Sequence, residues 1–198
     1  MVTGISDMKD APACPALVRP TSAKERRLVQ RFLYHWVALR RNHELPSIDD
    51  LDITTLPAPW EQCFLLTRIG DKEADEFDHL GEVFLADQKL ADRKKGGGNR
   101  IDTIRPESLL DFATRSISLV IEGRIPVMSS GSIAPTNRQH VKFRSIILPF
   151  SGRASGNVYL LGSANWREDA LGSTADMEEL ACYKFDHGDW RPVNPPRG

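Results

Sequence analysis

The sequence has few of the residues that build covalent or metal-linked frameworks. Its 198 residues include three cysteines, Cys14, Cys63 and Cys182, which lie far apart along the chain. None of them belongs to a CxxC motif or to a Cys/His spacing of the kind that binds zinc. This usage is typical of a reduced cytosolic protein, and it predicts neither a disulfide framework nor a bound metal.

A large net charge and a long apolar run are also lacking. The formal net charge is −1, so no overall field attracts nucleic acid or an anionic membrane. No segment approaches the ~18 consecutive apolar residues that a membrane-spanning helix needs. The first twenty residues lack a long apolar core and carry Asp7 and Asp10, which is unlike a signal peptide. We therefore expect a cytoplasmic protein with no membrane partner.

Catalytic motifs are equally scarce. No serine or cysteine nucleophile can be matched with a histidine base from the pattern of the sequence. The glycine-rich stretch KKGGGNR, residues 94–100, lacks the GxxxxGK[ST] pattern of a phosphate-binding loop. We interpret this stretch as a flexible loop, and we predict that the protein is not an enzyme.

The composition that remains is that of an ordinary folded domain, with 40% hydrophobic and 27% charged residues. Changes in pattern divide the chain into five segments. They are a disordered N-terminus (1–21), an amphipathic helix (22–43), a proline-punctuated connector (44–62), a folded domain (63–168) and an acidic C-terminal extension (169–198).

The N-terminal helix has the clearest local signal. Ser22 and Glu25 have the spacing of a capping box, in which each side chain satisfies a backbone N–H group at the helix start. Apolar residues recur at helical intervals and form a stripe: Leu28, Phe32, Trp36 and Leu39. We predict that this stripe forms a homodimer interface, packed on the outer face of a sheet. The alternative is that the helix folds back on its own sheet and leaves a monomer.

The remaining elements predict an α+β fold. Two strands, 63–69 and 76–86, precede a polar loop and a helix at 106–122, and three strand-like segments follow. Runs of strands interrupted by one helix favour a five-stranded antiparallel sheet with helices on one face. The segments around Ile146–Leu148 and Val158–Leu161 are almost wholly apolar. Strands of that kind are covered on both faces, and the N-terminal helix is the candidate for the second cover.

Several short motifs, in this order, resemble a family of stand-alone PAS-like proteins found mainly in alphaproteobacteria. These motifs are YHWVALRRNHELPSIDDLDITTLP at residues 34–57, FDHLGEVF around Gly81, and ILPFSGRASGNVYLLGSANW at residues 147–166. The resemblance covers about residues 26–168. It implies a PAS-type sensor or adaptor that signals through protein–protein contacts with an unidentified signalling partner.

The resemblance also implies a space for a small ligand between the sheet and its helices. We predict that this space is an apolar pocket able to hold a small apolar molecule. The candidate pocket residues are Leu65, Phe77, Leu80, Phe112, Leu119, Val127, Ile147 and Leu160. PAS domains that bind haem use a histidine on the long helix, and residues 106–122 contain none. No cysteine is placed for flavin chemistry either, so we expect a colourless protein without a cofactor.

Two other classes of function remain open at this point. An enzyme on a similar α+β fold would hide an acid/base pair in a closed cavity, with Asp78 or His79 facing inward from the sheet. An adaptor could instead bind nucleic acid through the N-terminal helix, where residues 24–44 carry six Lys or Arg against two Glu. The apolar spacing of the helix favours packing over nucleic-acid binding, and steep salt dependence of binding would distinguish the two.

Overall fold

In the computed structural model, the described residues are 27–69, 76–88, 100–133, 141–152, 157–168, 179–186 and 188–193. The helices among them are α1 (Leu28–Arg40), α2 (Glu82–Gln88), α3 (Leu109–Thr114) and α4 (Ile117–Gly123). The strands are β1 (Cys63–Ile69), β2 (Glu76–Leu80), β3 (Val127–Ile133), β4 (Val141–Ser151), β5 (Asn157–Glu168), β6 (Glu179–Asp186) and β7 (Asp189–Val193). Short 3-10 turns lie at Ile48–Asp50, Ile53–Thr55, Trp60–Gln62 and Ile101–Thr103. The predicted α+β class is therefore confirmed.

All seven strands belong to one antiparallel sheet in the order β2-β1-β5-β4-β3-β6-β7. The predicted sheet had five strands, and these occupy one contiguous block in space. The count of five is not confirmed, because β6 and β7 extend the block beyond β3. Acidic residues stand at the ends of these two strands, while the interior of β6 is the apolar stretch around Cys182. Gly188, with φ +87°, lies in the tight connection between them, where a positive φ favours glycine.

The second strand is shorter than the sequence pattern predicted. β2 ends at Leu80, and α2 begins at Glu82 where the strand was expected to continue. Gly81 marks the change, because its N–H donates to Cys63 O at 2.9 Å and its own carbonyl accepts from Phe84 N at 2.9 Å. A Cβ atom at Gly81 would collide with the backbone of Glu61. Glycine is therefore needed here because the backbone of the Trp60–Gln62 turn lies close to the junction of β2 and α2.

The helix predicted at 106–122 is two helices. Ser108 caps α3 by accepting a hydrogen bond from Asp111 N at 3.1 Å, so helical structure begins after Pro106. Thr114 Oγ1 donates to Leu110 O at 2.8 Å, and such bonds from a threonine to the preceding turn tend to bend helices. α3 ends at Thr114 and α4 starts at Ile117.

The C-terminus of α4 also differs from the prediction. Gly123 was expected just past the helix end, but it is the last helical residue. The next residue, Arg124, takes the left-handed conformation with φ 50° and ψ 36°. A left-handed residue therefore follows the helix as expected, but that residue is Arg124 and not Gly123.

The sheet separates two apolar layers. The first, which we call the helix-layer core, lies between the sheet and α2, α3 and α4, and includes Phe64, Phe84 and Phe112. The second, the α1 core, lies on the opposite face between the sheet, α1 and the connector, and includes Ile146 and Leu161. Alternate residues of β4 and β5 face the two layers, as the pleat of a strand requires. The apolar runs of both strands are therefore buried on both faces.

Pro149 lies in the second half of β4, where α1 and the connector supply hydrogen-bond partners to the strand edge. Pairing with β3 extends along β4 only as far as Ile147, and no strand of the described residues lies beside the edge of β4 beyond it. Trp36 Nε1 donates to Pro149 O at 2.7 Å, and Ser151 N donates to Pro46 O at 2.9 Å. A proline is tolerated here because its missing N–H faces an edge that no strand occupies. Helix α1 and the connector take the place of a neighbouring strand.

Candidate functional site

The helix-layer core brings together most of the predicted pocket residues. Seven of the eight lie in it or pack against it: Phe77, Leu80, Phe112, Leu119, Val127, Ile147 and Leu160. Leu65 does not, because it packs against the α1 core on the other face of the sheet. Its neighbours Phe64 and Leu66 occupy the helix-layer core instead, as expected from the alternation of side chains along β1.

Phe64 is the principal residue of this layer that the sequence reasoning missed. Its ring makes edge-on contacts with Phe77 and Phe84, with centroid separations of 5.8 and 5.5 Å. It lies over Gly162 of β5, where any side chain would overlap the ring. The signal was present in the sequence, since a Gly on β5 beside large apolar neighbours indicates the close approach of another group.

A row of small residues crosses the sheet beneath the junction of α3 and α4. Ala164, Ser145, Ser129 and Cys182 are directly paired on β5, β4, β3 and β6. Ser129 Oγ donates to Ser116 Oγ at 3.3 Å, where Ser116 precedes α4, and lies 3.4 Å from Cys182 Sγ. We call Ser116, Ser129 and Ser145 the hydroxyl row. All three are buried, so they form a polar strip within the otherwise apolar helix-layer core.

The two described cysteines carry neutral thiols. Burial raises the pKa of Cys63 to about 12, and burial also raises the pKa of Cys182. A thiol acts as a nucleophile or a metal ligand in its ionised form, which these surroundings disfavour. Cys63 behaves as the small apolar residue that its strand position predicts. Cys14 lies outside the described residues.

Asp78 and His79 lie on the side of the sheet away from the helix-layer core. Leu65 pairs with His79 and Leu66 with Phe77, so Asp78 is the extra residue of a β-bulge. The exposed Asp78 carboxylate accepts a hydrogen bond from Thr67 Oγ1. The His79 ring stacks on Trp60 at 4.0 Å, and its Nε2 lies 2.9 Å from Trp60 O. Neither residue faces inward toward the helix layer, where an enclosed acid/base site would require it.

The predicted dimer stripe is covered within a single chain. Phe32 and Trp36 are 0% and 1% exposed, Leu28 is buried, and Leu39 packs against the same α1 core. The helix therefore folds back on its own sheet, which was the stated alternative. The burial of the stripe removes the reason for expecting a homodimer, while the homodimer itself stays a prediction. The capping-box residues Ser22 and Glu25 lie outside the described residues.

The charges of α1 line its outer side. Arg27 and Arg31 are exposed, and the Arg40 guanidinium lies 5.4 Å from the centre of the Trp36 ring. Near its start, α1 meets the C-terminal hairpin through a neutral contact, in which Trp190 Nε1 donates to Gln30 Oε1 at 3.4 Å. Of the glycine-rich stretch 94–100, only Arg100 is described, and it pairs with Asp102 at 2.9 Å.

The described residues hold neither a metal-binding cluster nor a membrane-spanning helix. They contain no cluster of three or more His, Cys, Asp or Glu side chains that could hold a metal ion. None of the helices in these residues has the length and apolar character required to cross a membrane. Comparison with family models, with curated proteins and with solved structures gave no match.

Proposed function

We propose that the protein is a non-catalytic, cytoplasmic PAS-type sensor or adaptor that binds a small molecule in the helix-layer core. The observation that carries the proposal is the convergence of seven predicted pocket residues on one side of the sheet. Their convergence is consistent with the resemblance of the sequence, which implies a ligand space between sheet and helices. Ligand sites in proteins are mostly apolar with a few placed polar groups, and the helix-layer core has that composition.

The second apolar layer supports a signalling role for α1 in this proposal. The helix is held to β4 by the bond from Trp36 to Pro149, on the face opposite the proposed pocket. β4 and β5 contribute side chains to both layers, so a ligand that shifts these strands also changes the surface on which α1 rests. We propose that a change in the docking of α1 presents the signal to a partner protein.

The rival functions receive less support from the described residues. The acid/base reading needed an inward-facing Asp78 or His79, and both lie on the other side of the sheet. The nucleic-acid reading relied on the basic residues of the N-terminal helix, and burial of the apolar face of α1 agrees with the packing role that the sequence favoured over it. Dimer formation is no longer required to cover the α1 stripe, so we propose a monomer as the signalling unit.

Native mass spectrometry of the freshly purified full chain tests the proposal directly. We expect a monomer that carries a bound mass of a few hundred daltons, or that gains one from a small-molecule library, with no absorption band above 300 nm. A stoichiometric visible chromophore would contradict the cofactor-free reading. A protein that neither retains nor acquires any small molecule would contradict the sensor reading.

A further inference from the structure

Ser145 lies in the middle of the hydroxyl row with no hydrogen-bond partner among the described residues. It is 1% exposed, and its Oγ is fully buried. Phe143 and Ile147, two residues away on either side, face the helix-layer core, so the alternation of β4 directs Ser145 toward the same layer. The hydroxyl therefore points into the layer that holds the proposed pocket.

A buried hydroxyl without a partner is unusual and unfavourable. Most buried side-chain polar atoms in folded proteins have at least one hydrogen-bond partner, and each exception calls for an explanation. The other two members of the row have one, because Ser129 Oγ donates to Ser116 Oγ at 3.3 Å. Ser163, an equally buried serine on β5, donates to Gln62 O at 3.0 Å. Ser145 differs from them, and among the described serines only the less buried Ser132 shares an unpartnered Oγ with it.

The surroundings restrict the chemistry of any group that would pair with Ser145. The buried polar residues among those described are serines and threonines, with no buried Asp, Glu, Lys or Arg. A charged group entering this layer would lose its hydration without meeting a compensating charge. A serine hydroxyl can donate one hydrogen bond and accept others, so it suits a neutral alcohol, amide or N–H group.

We infer that Ser145 is the polar anchor of the proposed ligand site and selects a small neutral molecule with an apolar body and one hydrogen-bonding group. This inference rests on the proposed function, since it assigns a ligand class to the same helix-layer core. The apolar body lies among residues such as Phe112 and Ile147, and its polar group pairs with Ser145 Oγ. Anionic ligands are disfavoured, because no Lys or Arg residue among those described is buried and the Arg115 guanidinium that stacks on Phe112 is already paired with Asp111.

Three matched probes test the ligand class on the full chain. Toluene, benzyl alcohol and benzoate share a phenyl ring and differ in carrying no polar group, a neutral hydroxyl or a carboxylate. We expect the wild type to bind benzyl alcohol about 3- to 10-fold more tightly than toluene, the range of one neutral hydrogen bond, and to bind benzoate least. In Ser145→Ala the advantage of benzyl alcohol over toluene should disappear. Ligand-observed NMR titration measures all three affinities.

Thermal stability provides a second test that needs no ligand. Protein refolded from guanidinium chloride carries no ligand from the host cell. In this state Ser145→Ala should leave the melting temperature unchanged or raise it, because it removes an unpaired buried hydroxyl. The matched control Ser163→Ala removes a serine that donates a hydrogen bond, and it should lower the melting temperature by about 2–4 °C.

The outcomes separate this inference from the proposed function. Equal binding of toluene and benzyl alcohol by the wild type, or a preference that survives in Ser145→Ala, overturns the anchor but leaves the pocket. A loss of stability in Ser145→Ala that equals the loss in Ser163→Ala also overturns the anchor, because the hydroxyl would then be paired with an internal water or the backbone. If none of the three probes binds, both the proposed pocket and the anchor role of Ser145 are refuted.

Discussion

Replacing Trp36 by Phe tests whether α1 is part of the folded core. The substitution keeps an aromatic ring in the α1 core but removes the N–H group that donates to Pro149 O at 2.7 Å. The carbonyl is then left in a buried setting without its donor, which costs about 1–3 kcal/mol. The smaller ring also buries less apolar surface, which costs roughly 1 kcal/mol more. We therefore expect the free energy of unfolding to fall by about 2–4 kcal/mol.

Urea denaturation followed by circular dichroism measures this loss. With an m-value of about 2 kcal/mol per molar urea, the midpoint should fall by about 1–2 M while the slope stays unchanged. Trp190→Phe is the matched control, since Trp190 is only partly buried and its Nε1 lies 3.4 Å from Gln30 Oε1. A hydrogen bond of this length in a partly buried setting is weak, so the control should lose less than about 1 kcal/mol.

The reasoning fails if Trp36→Phe and Trp190→Phe shift the midpoint equally. It also fails if the substitution halves the mass measured by light scattering and leaves the stability of the domain unchanged. That second result would indicate that the stripe of α1 forms a dimer interface.

Three further predictions follow from other parts of the molecule. Burial lowers the pKa of His35 below its ordinary value of 6.5, and the nearby Asp52 only partly opposes this shift. The unfolded chain then takes up the proton more readily than the folded one, so stability should fall as the pH drops below about 6.5. The urea midpoints of the wild type should differ between pH 7.5 and 5.5, and those of His35→Gln should be nearly equal. Gly81→Ala should lower the free energy of unfolding by about 3 kcal/mol or more, because its Cβ would collide with backbone atoms. Gly188→Ala has open space around it and should lose only about 1 kcal/mol, from its positive φ. Equal losses in the same urea assay would contradict the close backbone approach at Gly81. In a Cys14→Ser variant, neither remaining thiol should react with an aromatic disulfide reagent at pH 8 before unfolding, and labelling of the native protein would refute their burial.

The sequence allowed the amphipathic elements to be predicted because their apolar spacing is a local property. The stripe of α1 and the apolar runs of β4 and β5 both lie on covered faces. The spacing of the stripe could not say which sheet it would cover, because a helix packed in cis and one packed across a dimer bury the same side chains. The choice depends on the path of the connector, through long-range contacts such as Ser151 with Pro46.

The predictions that failed depended on contacts between distant segments. Gly81 ends a strand because the backbone of Glu61 lies against it, and the spacing of apolar residues around Gly81 carries no sign of that contact. The C-terminal strands were obscured by acidic residues, and the described ones among them, such as Glu179 and Asp186, stand at strand ends. Composition describes the segment as a whole, whereas pairing of β6 with β3 depends on the few residues between those ends.

For the candidate site, the sequence was informative about apolar residues and silent about polar ones. Large side chains at helical or strand spacing were assigned correctly to the helix-layer core, apart from Leu65. Ser145 could not have been predicted as a site residue, because serine is common and the residues around it in the sequence give no sign of a missing hydrogen-bond partner. That property depends on Ser129 and Ala164 being its paired neighbours across the sheet.

The covering of β4 by α1 and the connector has a consequence for dissection of the chain. A fragment that begins at Cys63 would lack Trp36 and Pro46, and it would expose Pro149 O, Ser151 N and the apolar residues of the α1 core. An uncovered strand edge beside an apolar face is a template for intermolecular β-pairing. We expect such a fragment to aggregate on expression, and the shortest autonomous folding unit to include α1.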